Sequence, residues 1–235
     1  HYGKASYQAD HDLQQILGLL QPYLTPESKV LDLGCGTGRL AFDLAQTVGH
    51  VDGIDFTARH IQHCLNLKDQ GQLRYAMPTQ GDIFDFHEVT LNTLGFEKSL
   101  ENLCFAQGDG HNLKPQFSGY DLAICHRVIE YSYHPSVLLE QLSQRLKKGG
   151  VLVLGSSYAW DLSITDQQHW IGGFKRNGEN LCSEAHLTEI MLSEFDLLQE
   201  TQVLSQFELD QRTSQTANNH ITICSYTPPT QPTTT

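Results

Sequence analysis

The stretch Val30-Leu31-Asp32-Leu33-Gly34-Cys35-Gly36-Thr37-Gly38-Arg39 decides the fold of this chain. An apolar run leads into three glycines within five positions, and residues 40–45 follow with apolar side chains at helical spacing. Glycine is needed where the backbone turns with positive φ and where a ligand lies against the main chain. The pattern predicts a strand, a tight turn and a helix, the first βα unit of a doubly wound α/β sheet.

The glycine spacing, Gly-x-Gly-x-Gly, resembles the S-adenosylmethionine loop of class I methyltransferases more than the dinucleotide motif Gly-x-Gly-x-x-Gly. The resemblance implies a seven-stranded, Rossmann-like sheet. It also implies that the loop binds the cofactor through Gly34, Cys35, Gly36, Gly38 and Arg39. Because the two kinds of loop are similar, this segment alone leaves a nicotinamide-dependent oxidoreductase open.

A second acid follows the glycines at a distance typical of adenosine recognition. Residues 51–56 predict a second strand that ends in Asp55 and Phe56, about twenty residues after the loop. A carboxylate there can accept hydrogen bonds from both ribose hydroxyls, and it repels a 2′-phosphate. We therefore expect Asp55 and Phe56 to contact the cofactor, with a helix N-cap as the alternative role of Asp55.

Composition excludes several classes of protein. The chain has 235 residues and a net charge of −12, with no basic cluster, which disfavours nucleic acid and anionic membranes as partners. Its apolar runs are shorter than the roughly 18 residues of a membrane span. Six scattered cysteines without a Cys-x-x-Cys pair indicate reduced thiols in the cytoplasm rather than disulfides or a zinc site. Because the chain starts at His1, we expect a piece excised from a longer protein.

Periodicity and turn residues divide the chain into three parts. Residues 1–29 form an N-terminal cap segment with a helix over about 10–20, residues 30–226 the cofactor-binding domain, and residues 227–235 a low-complexity tail expected to be disordered. Further predicted helices cover 57–68, 137–146 (ended by residues 147–150) and 183–194; further predicted strands cover 102–107, 120–125 and 151–155. Residues 195–209 and 220–226 predict an antiparallel hairpin at the sheet edge, with a turn over 211–219.

The tripeptide Gln-Gly-Asp occurs twice, at 80–82 and 107–109, and only one copy can end the third strand. Residues 102–107 are the better strand, since proline interrupts the segment before Asp82. We therefore place Asp109 and Gly110 on the adenine side of the cofactor. Residues 72–101 are then an insertion, part of it helical, near the substrate edge.

Two segments are predicted to surround the acceptor. Residues 126–131 follow the fourth strand at its carboxyl end, where ligands bind in doubly wound sheets. Residues 156–182 are rich in glycine, tryptophan and polar side chains and too long for a plain connection, which predicts a lid loop.

Six segments carry a resemblance to one known family, and it extends over nearly the whole chain before the tail: residues 1–3, 108–115, 119–122, 156–160, 170–175 and 178–180. In these segments the chain is similar to the C-terminal methyltransferase domain of ovothiol-synthesis enzymes. It implies S-adenosylmethionine-dependent N-methylation of an imidazole nitrogen of 5-thiohistidine to give ovothiol. It also implies a sulfoxide synthase partner, covalent or not. Another small-molecule N- or O-methyltransferase, or a degenerate cofactor-binding partner module, remains an alternative.

Methyl transfer from a sulfonium is an in-line displacement, so the protein mainly positions the acceptor and excludes water. Three side chains are candidates to orient the imidazole or to take its proton: His126, Tyr131 and Tyr158. His126 also stands where it can contact the cofactor. No metal is expected.

Other candidates would recognise the rest of the acceptor and close the site. An amino-acid substrate needs a cation for its carboxylate, from Arg127 or Lys175, and an acid for its amine, from Glu130 or Asp161. The aromatic pair Trp160 and Trp170 would form a wall of the acceptor pocket, although aromatic side chains also pack ordinary cores. Near the N-terminus, Tyr2 and Tyr7 would close over the methionine end of the cofactor.

Overall fold

A computed structural model describes residues 11–96, 100–208 and 213–228. The helices are α1 (His11–Leu20), α2 (Arg39–Ala45), α3 (Ala58–Gln70), α4 (Pro135–Ser143) and α5 (Ser183–Met191). Short 3-10 helices cover Gln21–Tyr23, Ile129–Tyr131 and Gln167–His169. The strands are β1 (Lys29–Leu33), β2 (His50–Asp55), β3 (Gln72–Gln80), β4 (Ile83–Thr90), β5 (Leu103–Gln107), β6 (Tyr120–His126), β7 (Leu146–Ser156), β8 (Phe174–Arg176), β9 (Glu179–Leu181), β10 (Phe195–Glu208) and β11 (Ser214–Tyr226).

Seven strands form one sheet in the order β10-β11-β7-β6-β1-β2-β5. Strands β7, β6, β1, β2 and β5 run parallel, whereas β11 and β10 are antiparallel additions at one edge. Leu33 at the end of β1 lies opposite Ile54 on β2 and Cys125 on β6. The predicted doubly wound, seven-stranded sheet with a C-terminal antiparallel hairpin is confirmed.

Two apolar clusters cover the two faces of the sheet. One includes Leu20 of α1, Phe42 of α2 and Leu67 of α3, each fully buried. The other includes Leu142 of α4 and Leu187 of α5. Burial of an apolar side chain contributes about 1.5–3 kcal/mol each, so these faces hold the carboxyl ends of the strands in fixed positions. None of the described helices is both long enough and apolar enough to cross a membrane.

The segment 72–101 differs from the expected part-helical insertion. Strands β3 and β4 pair as an antiparallel hairpin, and the described remainder is turn. Pro78 lies inside β3, beside an irregularity in the ladder, where its missing N–H does no harm. Leu73, Tyr75 and Met77 are alternately buried along β3, a period-two pattern that sequence reading passed over because of the proline.

The junction of α4 and β7 also differs from prediction. Helix α4 begins at Pro135 and ends at Ser143, so residues 147–150 do not close it but form the start of β7. Leu146 pairs with Tyr120, and Gly149, with φ of +78°, allows the strand to shift register before Val151. Two cations followed by two glycines therefore belong to an irregular strand here rather than to a helix end.

Two further element boundaries differ from the predicted ones. Helix α5 ends at Met191, three residues early, and β11 already begins at Ser214, so most of the expected turn over 211–219 is strand. In the predicted tail, Thr227 and Pro228 are described, and 229–235 lie outside the described residues.

Candidate active site

A cavity of about 630 Å³ opens at the carboxyl ends of the parallel strands. Its walls come from the glycine loop after β1 and from the segments that follow β2, β5 and β6. The lining includes Gly34 and Gly36 and residues 55–57, 108–111, 126–128 and 131–133. This is the edge where a doubly wound sheet binds its ligands.

The glycine loop needs its glycines for two different reasons. Gly34, Gly36 and Gly38 have φ of +76°, +55° and +85°, a region that disfavours other residues. A Cβ at Gly34 would also overlap the Val128 side chain, whereas a Cβ at Gly36 would meet nothing. The Gly34 N–H donates to the Ile54 carbonyl at 2.7 Å. The loop is thereby fixed against both β2 and β6.

Asp55, at the end of β2, holds the loop from below the cavity. Its Oδ2 accepts the Gly36 N–H at 2.9 Å, and its Oδ1 accepts the Thr57 N–H at 2.8 Å and lies 3.0 Å from His60 Nδ1. Burial would raise the pKa of Asp55, but the hydrogen bonds from His60, Thr57 and Gly36 outweigh it and keep the pKa below its usual value. Thr57, not Asp55, is the N-cap residue of α3.

Asp32 lies inside β1, immediately before the loop. Its side chain is buried, and its Oδ2 has no hydrogen-bond partner among the described residues. Burial raises the pKa of Asp32 to about 7, and the charge of Asp55 adds to this shift. A buried carboxylate oxygen that lacks a donor suits a ligand with a positive charge or an N–H group. The signal in the sequence was an acid within an otherwise apolar strand.

Asp109, after β5, takes part in a network that builds one wall of the cavity. Its Oδ1 accepts the His111 N–H at 2.9 Å and lies 2.7 Å from His111 Nδ1, while the Tyr133 hydroxyl donates to Oδ2 at 3.1 Å. The His111 and Tyr133 rings stack at 3.8 Å, and His111 Nε2 lies 2.6 Å from Ser132 Oγ. Sequence reasoning missed His111, Ser132 and Tyr133, although His111 stands two residues after the predicted acid.

Hydrogen bonds shift the pKa of Asp109, whereas burial shifts that of His126. Burial would raise the pKa of Asp109, but the hydrogen bonds from His111 and Tyr133 hold it below its usual value. Burial lowers the pKa of His126 to about 4, and the nearby Arg127 charge acts in the same direction. The imidazole that lines the cavity is therefore neutral at neutral pH, and its Nδ1 has no partner in the described part of the chain.

The residues after His126 complete this side of the cavity. Arg127 has φ of +56°, and its N–H donates to the Gly155 carbonyl at 2.6 Å, which joins the end of β6 to β7. Such a backbone costs an arginine about 1–3 kcal/mol, and strain of this kind clusters at functional sites. Tyr131 lines the cavity with more than half of its surface exposed. Phe56 stands at the opposite rim, 72% exposed.

A second group of side chains, here called the aromatic cluster, lies beyond the end of β7. It consists of Tyr158, Trp160, Trp170 and His220. The two indole rings stack at 6.2 Å, and the Tyr158 hydroxyl lies 3.1 Å from His220 Nδ1. His220 Nε2 in turn lies 3.6 Å from Glu200 Oε1. Sequence reasoning missed His220 and Glu200, because both belong to the edge hairpin.

Backbone strain and anchoring bonds mark this cluster. Tyr158 has φ of +52°. Burial raises its pKa well above the usual value, with Glu184, Glu130 and Glu200 contributing, so its hydroxyl keeps its proton at neutral pH. Trp160 Nε1 donates to Ser183 Oγ at 2.9 Å.

Three candidates for charge recognition lie apart from the cavity lining. Glu130 is 1% exposed and accepts hydrogen bonds from Ser156 Oγ at 3.0 Å and Ser157 Oγ at 3.3 Å. Asp161 is exposed and accepts the Ser163 N–H at 2.7 Å. Lys175 is exposed on β8. The predicted Tyr2 and Tyr7 lie outside the described residues.

The cavity fits the predicted cofactor. Asp55 presents an ionised carboxylate beside a glycine loop that leaves the backbone bare, and Asp32 lies buried in the strand just before that loop, with an Oδ2 that has no partner among the described residues. This combination, on a parallel sheet of the observed order, defines a class I S-adenosylmethionine-dependent methyltransferase.

Comparison with known proteins identifies the family. Residues 5–197 match the family described as "Methyltransferase domain", and the chain belongs to this family. An arsenite methyltransferase from Aquipseudomonas alcaligenes is 30% identical over 153 residues, which cover 64% of this chain and 38% of that protein. A ubiquinone biosynthesis O-methyltransferase from Leptothrix cholodnii is 27% identical over 129 residues, covering 54% of this chain and 43% of that protein. The matched region thus spans about two fifths of the length of these relatives.

Solved structures share the fold. The N-methyltransferase NodS from Bradyrhizobium japonicum, in complex with S-adenosyl-L-homocysteine, superposes with a TM-score of 0.57 at 17% identity, covering 93% of this chain and 89% of that one. Magnesium protoporphyrin IX methyltransferase from Synechocystis PCC 6803, with S-adenosyl-L-homocysteine bound, gives a TM-score of 0.59 at 17% identity, covering 97% and 89%. The family match over residues 5–197 sets aside the nicotinamide-dependent alternative.

Proposed function

We propose that this domain methylates an imidazole nitrogen of 5-thiohistidine to give ovothiol. The observation that carries the proposal is the aromatic cluster, in which Tyr158, Trp160 and Trp170 come from the segments 156–160 and 170–175 that resemble ovothiol-synthesis enzymes. It follows β7 directly, and Gly155 of β7 lies opposite His126, which lines the cofactor cavity. A planar, sulfur-bearing acceptor between these two regions would have aromatic surface on one side and the cofactor on the other.

S-adenosylmethionine, when bound, supplies an electrophilic methyl group. The task of the protein is then to aim the acceptor nitrogen and to keep water away. In this proposal Trp160 and Trp170 hold the flat face of the acceptor ring. Neutral His126 and Tyr131 offer hydrogen-bonding groups on the cavity side. Since the pKa of His126 is about 4, we assign it to orientation rather than to removal of a proton.

The proton that the acceptor loses would leave through Tyr158. Its hydroxyl can take a proton from the acceptor while it donates its own proton to His220 Nδ1, 3.1 Å away. The resulting imidazolium would be stabilised by Glu200, whose Oε1 lies 3.6 Å from Nε2. Tyr158 thereby remains a neutral phenol throughout, as its raised pKa requires.

The amino-acid part of the acceptor needs its own contacts. Arg127 lines the cavity, and we assign it to the substrate carboxylate in preference to the exposed Lys175. Glu130 is enclosed by Ser156 and Ser157, so it would hold the base of the lid loop, leaving the amine to the exposed Asp161. Residues 156–182 would close over the bound acceptor.

The same resemblance supplies the proposed partner and location. A sulfoxide synthase, on the same chain or separate, would deliver 5-thiohistidine to this domain. A cytoplasmic location fits six free cysteines, since thiols stay reduced there.

The test is mass spectrometry of the domain incubated with S-adenosylmethionine and one acceptor at a time. The acceptors are 5-thiohistidine, histidine, arsenite and a catechol. We expect a single methyl on a nitrogen of 5-thiohistidine, with a specificity constant more than about tenfold above that for histidine. A sulfur contact contributes roughly 0.3–1.5 kcal/mol, at most about tenfold, and the sulfur also changes which ring nitrogen is free to attack at neutral pH. Equal turnover of histidine, or turnover of arsenite or the catechol alone, would reject the acceptor and leave the methyltransferase assignment intact.

A further inference from the structure

We propose that His50, Asp52 and Cys104 form a binding site for a soft divalent transition-metal ion such as Zn²⁺. The three residues come from neighbouring parallel strands, β2 and β5, at the amino ends of both. Their ligand atoms all lie within 4.8 Å of one another, and His50 Nε2 is 3.1 Å from Asp52 Oδ2. The site is separate from the cofactor cavity, which lies at the opposite ends of these strands.

The pleat of the sheet explains why the three side chains meet. His50 and Asp52 are two residues apart on β2, so they project from the same face. Cys104 on β5 is the register partner of Asp52, which places it on that face as well. The sequence hides this arrangement because Cys104 is far from the other two residues along the chain.

The ligand chemistry favours zinc over magnesium or calcium. An imidazole nitrogen, a thiolate and one carboxylate oxygen form a mixed set that suits Zn²⁺, whereas Mg²⁺ and Ca²⁺ prefer oxygen ligands. With bonds of about 2.0–2.3 Å, tetrahedral ligand atoms lie roughly 3.3–3.8 Å apart. Small side-chain rotations are therefore enough to bring the three ligand atoms from within 4.8 Å of one another to tetrahedral spacing. Cys104 is exposed and His50 partly so, which leaves a fourth position for water.

A second layer of contacts fixes the least mobile ligand. The Tyr120 hydroxyl donates to Asp52 Oδ2 at 2.7 Å, and Tyr120 itself is fully buried. Metal-ligating carboxylates are characteristically held by such outer hydrogen bonds, which orient the ligand before the ion arrives. Asp52 therefore stays fixed at the base of the site, while the partly buried His50 and the exposed Cys104 can rotate toward the ion.

A bound ion would clamp the edge of the sheet. Strand β5 is the outermost parallel strand, and it pairs with β2 alone in the sheet order. Beyond its carboxyl end follows Asp109, which builds the cavity wall. We therefore assign the ion a structural role in holding β5, with no part in methyl transfer.

The experiment measures metal binding by the full chain, with Zn²⁺ alone for calorimetry and Co²⁺ alone for absorption spectra. We expect one ion per chain, a raised melting temperature and a thiolate-to-cobalt charge-transfer band. Cys104→Ser and His50→Ala should each weaken Zn²⁺ binding by at least about tenfold, and Cys104→Ser should remove the band. Tyr120→Phe, which keeps all three ligands, should weaken binding by about tenfold or more.

Cys182→Ser is the matched control, since Cys182 is another exposed thiol but lies in the lid region. It should leave the Zn²⁺ affinity, the thiolate-to-cobalt band and the metal-induced rise in melting temperature unchanged. Every variant should still bind S-adenosyl-L-homocysteine. Zinc binding that persists in Cys104→Ser, or that disappears in Cys182→Ser, would overturn the proposal. Circular dichroism of each metal-free variant separates loss of the site from loss of the fold.

Discussion

The Asp55 carboxylate accepts the Gly36 N–H at 2.9 Å, so the acid at the end of β2 fixes the loop at the end of β1. The carboxylate that we predict to bind the cofactor therefore also stabilises the glycine loop. The Gly36 and Thr57 N–H groups donate to this carboxylate and His60 Nδ1 lies within hydrogen-bond distance of it, so about one of its roughly four lone-pair sites is left for a ribose hydroxyl.

Removal of this carboxylate should weaken cofactor binding. We expect Asp55→Ala to lower the affinity for S-adenosyl-L-homocysteine by about 1–3 kcal/mol, the scale for polar groups that lose a charged acceptor. Asp82→Ala is the control, since Asp82 lies in the turn between β3 and β4. Calorimetry of both variants decides, and an unchanged affinity in Asp55→Ala would refute the ribose assignment.

Asp32 should make stability fall as pH rises. Its folded-state pKa of about 7 lies above the usual aspartate value of 3.8, so the stability it contributes is present at low pH and is lost between about pH 4 and pH 7. Relative to Asp32→Asn, the free energy of unfolding of the parent should decrease by up to about 1.4 kcal/mol per pH unit in that window. Urea denaturation at pH 5 and pH 8 measures the difference. A difference in the free energy of unfolding between parent and variant that stays constant with pH would contradict this expectation.

Alanine substitutions at Gly34 and Gly36 should distinguish the cost of steric overlap from the cost of backbone strain. Gly36→Ala should destabilise by about 1–2 kcal/mol, from positive φ alone. Gly34→Ala should cost about 1–3 kcal/mol more, because its methyl group overlaps Val128.

The combination of Gly34→Ala with Val128→Ala gives the control. It should recover part of the additional loss in a double-mutant cycle of urea-denaturation free energies. Equal effects of Gly34→Ala and Gly36→Ala, or additive effects of the two changes at 34 and 128, would show that the contact is unimportant.

The proposed proton path predicts a loss in turnover rather than in binding. Tyr158→Phe keeps the ring but removes the hydroxyl that faces His220, and we expect kcat on 5-thiohistidine to fall about 100-fold with little change in KM. His220→Gln should behave similarly. Tyr226→Phe, on the same edge hairpin, should retain full activity. If Tyr158→Phe raises KM at constant kcat, Tyr158 only binds the acceptor.

The sequence indicates the parts of this fold that depend on local pattern. Glycine spacing locates the loop, and apolar runs locate the parallel strands, because these strands are buried on both faces. It does not reveal contacts between distant segments. Val128 against Gly34, His220 against Tyr158 and Cys104 beside Asp52 each depend on register, which only the folded sheet specifies. Strand β3 was missed because Pro78 breaks a strand pattern but is tolerated beside a ladder irregularity.

Glu130 has a consequence for how this enzyme can be engineered. The cofactor cavity is built from residues before 139, and the aromatic cluster from residues after 155. The buried Glu130 carboxylate accepts hydrogen bonds from Ser156 and Ser157, and so connects the segment that lines the cavity to the segment that carries the aromatic cluster. A chimera that keeps Glu130, Ser156 and Ser157 but takes the rest of the segment after 157 from another methyltransferase should still bind the methyl donor and should accept a different substrate.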